Sequence, residues 1–319
     1  MLEVEIDVFS GMPNPTFELS DGEEQELTER ITAEPEQVAA VADSLESFGL
    51  GYRGLILRQV KTDAGAWSKA MTSQEFPIPG RVEGAPGVRS NEFRLGVDRA
   101  RSQSAADWLL ALSERKGLAI SDEVREVLRQ GVQPLPAAEG AEERPPEGDF
   151  DVEDGDEPGQ APRGATWWAC NPAYYSANAS YFNTPDAVTR NNCYCFASNH
   201  LANVRFARPG QRGGRPATSM SCGACVDGLR ADGWIDSCQV DTLTIAMVIW
   251  PGNDYHFYRV VTAGPDWWWG HKPGGTPARY TDNSNRAIKQ PLSPINCDRG
   301  PYTHFCGYFY QNNATAFVA

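Results

Sequence analysis

From Pro136 to Arg163 the chain reads PAAEGAEERPPEGDFDVEDGDEPGQAPR, with ten acidic residues, two basic ones, a single aromatic and almost no aliphatics. Such a stretch cannot bury enough apolar surface to offset the entropy of ordering, so an extended acidic linker is expected at 136–163. It divides the 319 residues into two regions, 1–135 and 164–319, each of ordinary domain size. A mobile tether of this kind is also an easy protease target.

The net charge of -14 is unevenly distributed. Residues 1–135 carry 23 acidic and 14 basic side chains, a balance of -9; the linker carries -8; residues 164–319 carry nine Asp, no Glu and 12 Lys+Arg, a balance of +3. Neither half offers the clustered cationic surface that phosphate binding needs, so nucleic acid is excluded as a partner. No run approaches the roughly 18 apolar residues of a membrane span. The opening MLEVEIDVFSG has no basic and apolar leader pattern, so no secretory signal is expected.

In the first region Leu2–Val8 alternates and predicts a strand, and Gly11-Met12-Pro13-Asn14-Pro15 predicts a turn. Helices are expected over Ser20–Ile31, Glu34–Phe48, Ser102–Arg115 and Ser121–Gln130, and a strand over Tyr52–Val60. These make a small, Cys-free, acidic α+β domain without a catalytic constellation, suited to a scaffold, delivery or inhibitory role. In the last case it would contact the second domain within the molecule.

All eight cysteines lie in the second region: Cys170, Cys193, Cys195, Cys222, Cys225, Cys238, Cys297 and Cys306. An even count with only two Lys reads like an exported domain, against the missing leader, and the compartment stays open. Core-forming residues return at Trp167-Trp168. Thr242–Trp250 and Asp254–Val261, turned by Pro251-Gly252-Asn253, predict a hairpin. Trp267–Lys272 and Tyr302–Tyr310 are further strand candidates, and a helix is expected within Thr184–Arg205.

Asn192-Cys193-Tyr194-Cys195 opens that helix. With Asn192 as cap, Cys193, Phe196, Ala197, His200, Leu201 and Val204 share one face. A thiol at a helix N-terminus is stabilised as thiolate by unpaired N–H groups, which suits a nucleophile. Such a nucleophile needs an imidazole. His256 lies central in DYHFYR, 63 residues on, and His271 follows 15 residues later. A turn centred on Ala263-Gly264 sets the two histidines opposite each other, whereas a longer loop through Asp266 turns them to opposite faces. His200 and His304 read as structural.

A Cys opening a helix, a His on a strand and a polar residue on the next strand resemble the papain-like cysteine peptidases. The arrangement is most similar to the bacterial cell-wall endopeptidases with a Cys-His-His set. NNCY, DYHFYR and HKPGGT with Asp282 are also similar to uncharacterised bacterial domains. The resemblance spans about residues 190–310. It implies an α+β fold with an antiparallel sheet and an N-terminal catalytic helix. Cys193 would be nucleophile, His256 base and His271 the group orienting it, with Asp282 in reserve. Asn192, Tyr194 and Trp268 are candidate oxyanion or substrate contacts, and no cofactor is implied. The expected function is hydrolysis of peptide or isopeptide amide bonds in a peptide or protein substrate.

Two other readings use the same residues. Acyl transfer to an amine needs the same dyad. Complete pairing of the cysteines would instead give a disulfide-stapled toxin or binding module without catalysis. Cys222-Gly223-Ala224-Cys225 reads as a structural disulfide, a redox pair, or with Cys238 a partial zinc site.

Overall fold

The computed structural model describes residues 1–40, 48–60, 92–98, 102–137, 179–239, 242–262 and 268–319. The expected linker, Trp167-Trp168, Cys170 and Trp267 lie outside them. The protein is an α+β chain of two compact units. One comprises Met1–Phe9 and Pro13–Pro134; the other comprises Ser10–Met12 and Leu135–Ala319.

In the first unit β1 (Leu2–Ile6), β2 (Thr16–Glu18), β3 (Ala39–Ala40), β4 (Leu55–Gln59) and β5 (Glu92–Leu95) form an antiparallel sheet of order β2-β1-β4-β5-β3. Helix α1 (Asp21–Ala33) starts where Ser20 donates its N–H to Glu23, 2.7 Å away. Helices α2 (Ser104–Arg115) and α3 (Asp122–Gln130) follow, the latter capped by the Ser121 hydroxyl. The helix expected over Glu34–Phe48 is not formed at its start. Pro35 cannot supply the next helical N–H and pushes Glu34 out of the helical region. A single 3-10 turn over Pro35–Gln37 leads into β3 instead, and residues 41–47 lie outside the described part.

The second unit is built on the expected hairpin. Strands β6 (Leu243–Trp250) and β7 (Asp254–Thr262) pair with Val248 opposite His256 and Trp250 opposite Asp254. Gly252, with φ of 75°, makes the turn. Strand β8 (Trp268–His271) flanks β7, and β9 (His304–Gln311) flanks β6, giving an antiparallel sheet of order β8-β7-β6-β9. Every residue of β6 is buried, so both faces of the sheet are covered. Ile245, Met247, Ile249, Tyr255, Phe257 and Val261 share one core cluster with Cys193–Ala197. Alternation sends His256 and Tyr258 to the opposite face, where they pack with His271 and Tyr302.

The helical segment of this unit is shorter than its apolar spacing predicts. A one-turn helix α4 (Pro185–Val188) precedes α5, which covers only Cys193–Ala197. Asn199 and Asn203 adopt left-handed φ of 55°, and the His200 N–H closes back on the Cys195 carbonyl. Helix α6 (Cys222–Ala231) is capped by Ser221 and joined to β9 by the Cys222–Cys306 disulfide.

Candidate functional site

Cys193 is the first residue of α5. The Asn192 side chain accepts from the N–H groups of Tyr194 at 3.2 Å and Cys195 at 3.3 Å, which is the expected cap. The thiol is fully buried and directed at the Tyr255 carbonyl, 3.9 Å away on β7. Burial pushes it well above the ordinary thiol range and nearby Asp254 adds to this; backbone hydrogen bonding from Phe257 and the Lys272 cation oppose it. At neutral pH the group is therefore a thiol, and a five-residue helix has little dipole to change that.

His256 and His271 meet. His256 Nε2 lies 2.8 Å from His271 Nδ1, and His271 Nε2 lies 2.9 Å from the Thr281 carbonyl oxygen. A carbonyl only accepts, so His271 carries its proton on Nε2. Burial and the Arg279 charge hold His271 down to about 3, so the ring is neutral and its Nδ1 is an acceptor. His256 must then donate from Nε2, and when neutral it keeps its lone pair on Nδ1. The tautomer that suits a base facing away from His271 is thus set by one backbone carbonyl. Tyr258 stacks on His271 with ring centroids 4.8 Å apart.

Strand β8 pairs with β7 from Tyr258 onward, with His271 opposite Tyr258 and an irregularity between Val260 and Thr262. His256 and His271 accordingly lie on one face. The preceding stretch of β7 has Cys193 beside it: the thiol touches Tyr255 and Phe257, the two residues that flank His256. The structure therefore joins the two imidazoles and sets the thiol against the backbone of the same strand, on the other face from the His256 ring.

Several expected contacts go elsewhere. The Tyr194 hydroxyl donates to Asp232 and accepts from the Trp234 indole, so its side chain is committed to an interior network. Trp268 is buried in the core cluster with Lys289 over its ring, which removes it as a platform for substrate. Asp282 is buried and takes the N–H groups of Ser284, Arg286 and Asp298 and the Arg286 guanidinium. His271 is oriented by the carbonyl of the preceding residue, Thr281, and not by that carboxylate. Cys222 and Cys238 are both disulfide-bonded, so they and Cys225 cannot form a thiolate zinc site. Among the described residues no group of three His, Cys, Asp or Glu could hold a metal ion. Full pairing of the cysteines fails too, since Cys193, Cys195, Cys225 and Cys297 are free thiols. No helix among the described residues is long and apolar enough to cross a membrane.

No family model matches the chain, and no solved structure matches it. Over 122 residues it is 42% identical to insoluble matrix shell protein 1 of Ruditapes philippinarum, covering 37% of this chain and 78% of the relative. The chain belongs to the family of that shell protein. Membership leaves the chemistry of Cys193 and His256 to be argued from the site itself.

One part of this site has no signal in the sequence. Asp254, at the start of β7, is fully buried and accepts from the N–H groups of Ser10 at 2.6 Å, Gly11 at 3.1 Å and Met12 at 2.7 Å, and from the Tyr302 hydroxyl at 2.5 Å. Gly11 to Pro15 reads locally as a turn; its partner lies more than two hundred residues away, beyond the range of any periodicity.

Proposed function

We propose that the second unit is a cysteine-dependent hydrolase of amide bonds, held here with its thiol protonated and covered. The observation that carries the reading is the His256–His271–Thr281 chain, which commits His256 Nε2 and leaves Nδ1 as the basic atom. Beside the same strand lies a non-disulfide cysteine at a capped helix start.

The reaction requires α5 and β7 to rearrange, because the Cys193 thiol lies across β7 from the His256 ring; once the two meet, the thiol gives its proton to Nδ1. His271 Nδ1 accepts from the resulting imidazolium and steadies it. The thiolate attacks the substrate carbonyl carbon, and the oxyanion is received by the Cys193 N–H, which the Asn192 cap does not use. His256 returns the proton to the leaving nitrogen as the C–N bond breaks. Water then splits the thioester with His256 as base; an amine in place of water gives transfer.

The test is mass-spectrometric screening of a peptide library against the wild type and variants. Cys193→Ala and His256→Ala are expected to lower turnover at least about 10³-fold, and His271→Gln about 10- to 100-fold. Cleavage that survives in Cys193→Ala, or none that differs between wild type and Cys193→Ala, would sink the reading.

A second reading is a disulfide-stapled structural module without catalysis. It is favoured by the complete burial of the thiol and by the relative's name as an insoluble matrix shell protein. Under it, Cys193→Ala changes stability alone.

A further inference from the structure

Ser10, Gly11 and Met12 belong to the second unit although they precede the rest of it by more than a hundred residues. Their three consecutive N–H groups converge on the buried Asp254 carboxylate, an amide nest closed on an anion. The Gly11 carbonyl accepts from Asn192 Nδ2 at 3.2 Å and lies 3.1 Å from the Tyr255 hydroxyl, whose one proton it shares with the nearer Ala207 carbonyl at 2.5 Å. Asn192 is the cap of α5, and Tyr255 supplies the carbonyl on which the Cys193 thiol rests. Gly11 lies so close to the Tyr255 ring that a Cβ there would stand 2.3 Å from Cε2. The Met12 side chain packs on the core cluster that contains Cys193.

This segment touches both residues that hold the thiol in place, yet it contributes no strand to the sheet of its unit. Lifting it would break a carboxylate nest and the Asn192 hydrogen bond to Gly11 and would remove no strand from the sheet of β6 to β9. We infer that Ser10–Gly11–Met12 is a removable cover over Cys193, latched by Asp254. The inference concerns access to the thiol and stands whether or not the thiol is a nucleophile.

The experiment is iodoacetamide labelling of the native full-length protein with peptide mapping, fragmentation separating Cys193 from Cys195. Cys297, a buried free thiol outside the cluster that holds Cys193, serves as internal reference. Gly11→Val forces the segment off the Tyr255 ring, and Asp254→Asn removes the latch charge. Each is expected to speed Cys193 alkylation, compared at equal thiolate fraction, at least about tenfold while Cys297 keeps its wild-type rate. An unchanged Cys193 rate, or a rise shared equally by Cys297, would overturn the cover. Should Gly11→Val fail to fold, Met12→Ala trims only the packed side chain and must raise Cys193 labelling selectively, by a smaller factor. A labelled thiol without turnover would count against the hydrolase and leave the cover standing; turnover with a thiol unchanged by these variants would do the reverse.

Discussion

Asp7 and Asp254 are both buried carboxylates, yet their surroundings drive them in opposite directions. Burial alone would raise Asp7, but Arg53 at 2.6 Å and Arg94 at 2.7 Å outweigh it and hold the group well below the usual carboxylate range. Asp254 has neutral N–H and O–H donors only, and burial wins, raising it from 3.8 to about 6. Its folded state therefore binds the proton more tightly than the unfolded chain does. The stability from that proton is fully present below the unfolded value and is lost as pH rises through about 6. A shift of about two units corresponds to roughly 3 kcal/mol at most. Urea unfolding of the wild type and Asp254→Asn at half-unit steps should show the wild-type advantage shrinking by about 2–3 kcal/mol between pH 4 and 7. A difference that stays flat would mean that the three amides fully offset the desolvation.

Among the elements, α5 shows why a short helix needs outside support. Five residues cannot sustain themselves in water. Asn192 closes its start, and its side chains sit in the core cluster with β7. The Cys222–Cys306 bridge fixes α6 to β9 across a sequence separation of 84. Chain entropy gives such a loop about 4.6 kcal/mol. Replacing both cysteines by alanine should cost about 2–4 kcal/mol in denaturant unfolding without reductant, and a loss under about 1 kcal/mol would show that packing alone holds α6. The strands were legible because Leu2–Ile6, Leu243–Trp250 and Asp254–Thr262 carry their own alternation or apolar run and turn residues. The length of α5 was not, since Phe196, Ala197, His200 and Leu201 keep helical spacing and only left-handed Asn199 and Asn203 stop it. That His256 and His271 share a face was legible as one of two outcomes, but the register was not: His271 lies opposite Tyr258, two residues beyond His256. The choice between the two outcomes depends on the β7–β8 irregularity, which no local pattern encodes.

At the scale of the whole molecule, charge and cysteine content shift along the chain, and the compact units divide at Pro134/Leu135. What composition could not convey is that the second unit also needs Ser10–Met12. A polypeptide of residues 135–319 keeps the Tyr302 hydroxyl on Asp254 but loses the three N–H groups. Hydrogen bonds to a buried charge contribute about 1.5–3 kcal/mol each, and a carboxylate stripped of them carries its desolvation uncompensated. That polypeptide should therefore unfold at least about 3 kcal/mol more easily than the same unit in the full chain. Asp254→Asn should recover part of the deficit within it, because a neutral amide costs less to leave buried than a carboxylate. Urea unfolding followed by tryptophan fluorescence, with the full chain as reference, measures both quantities. Equal stability of the truncated and full-length forms would mean that the amide nest on Asp254 contributes nothing to the unit that encloses it.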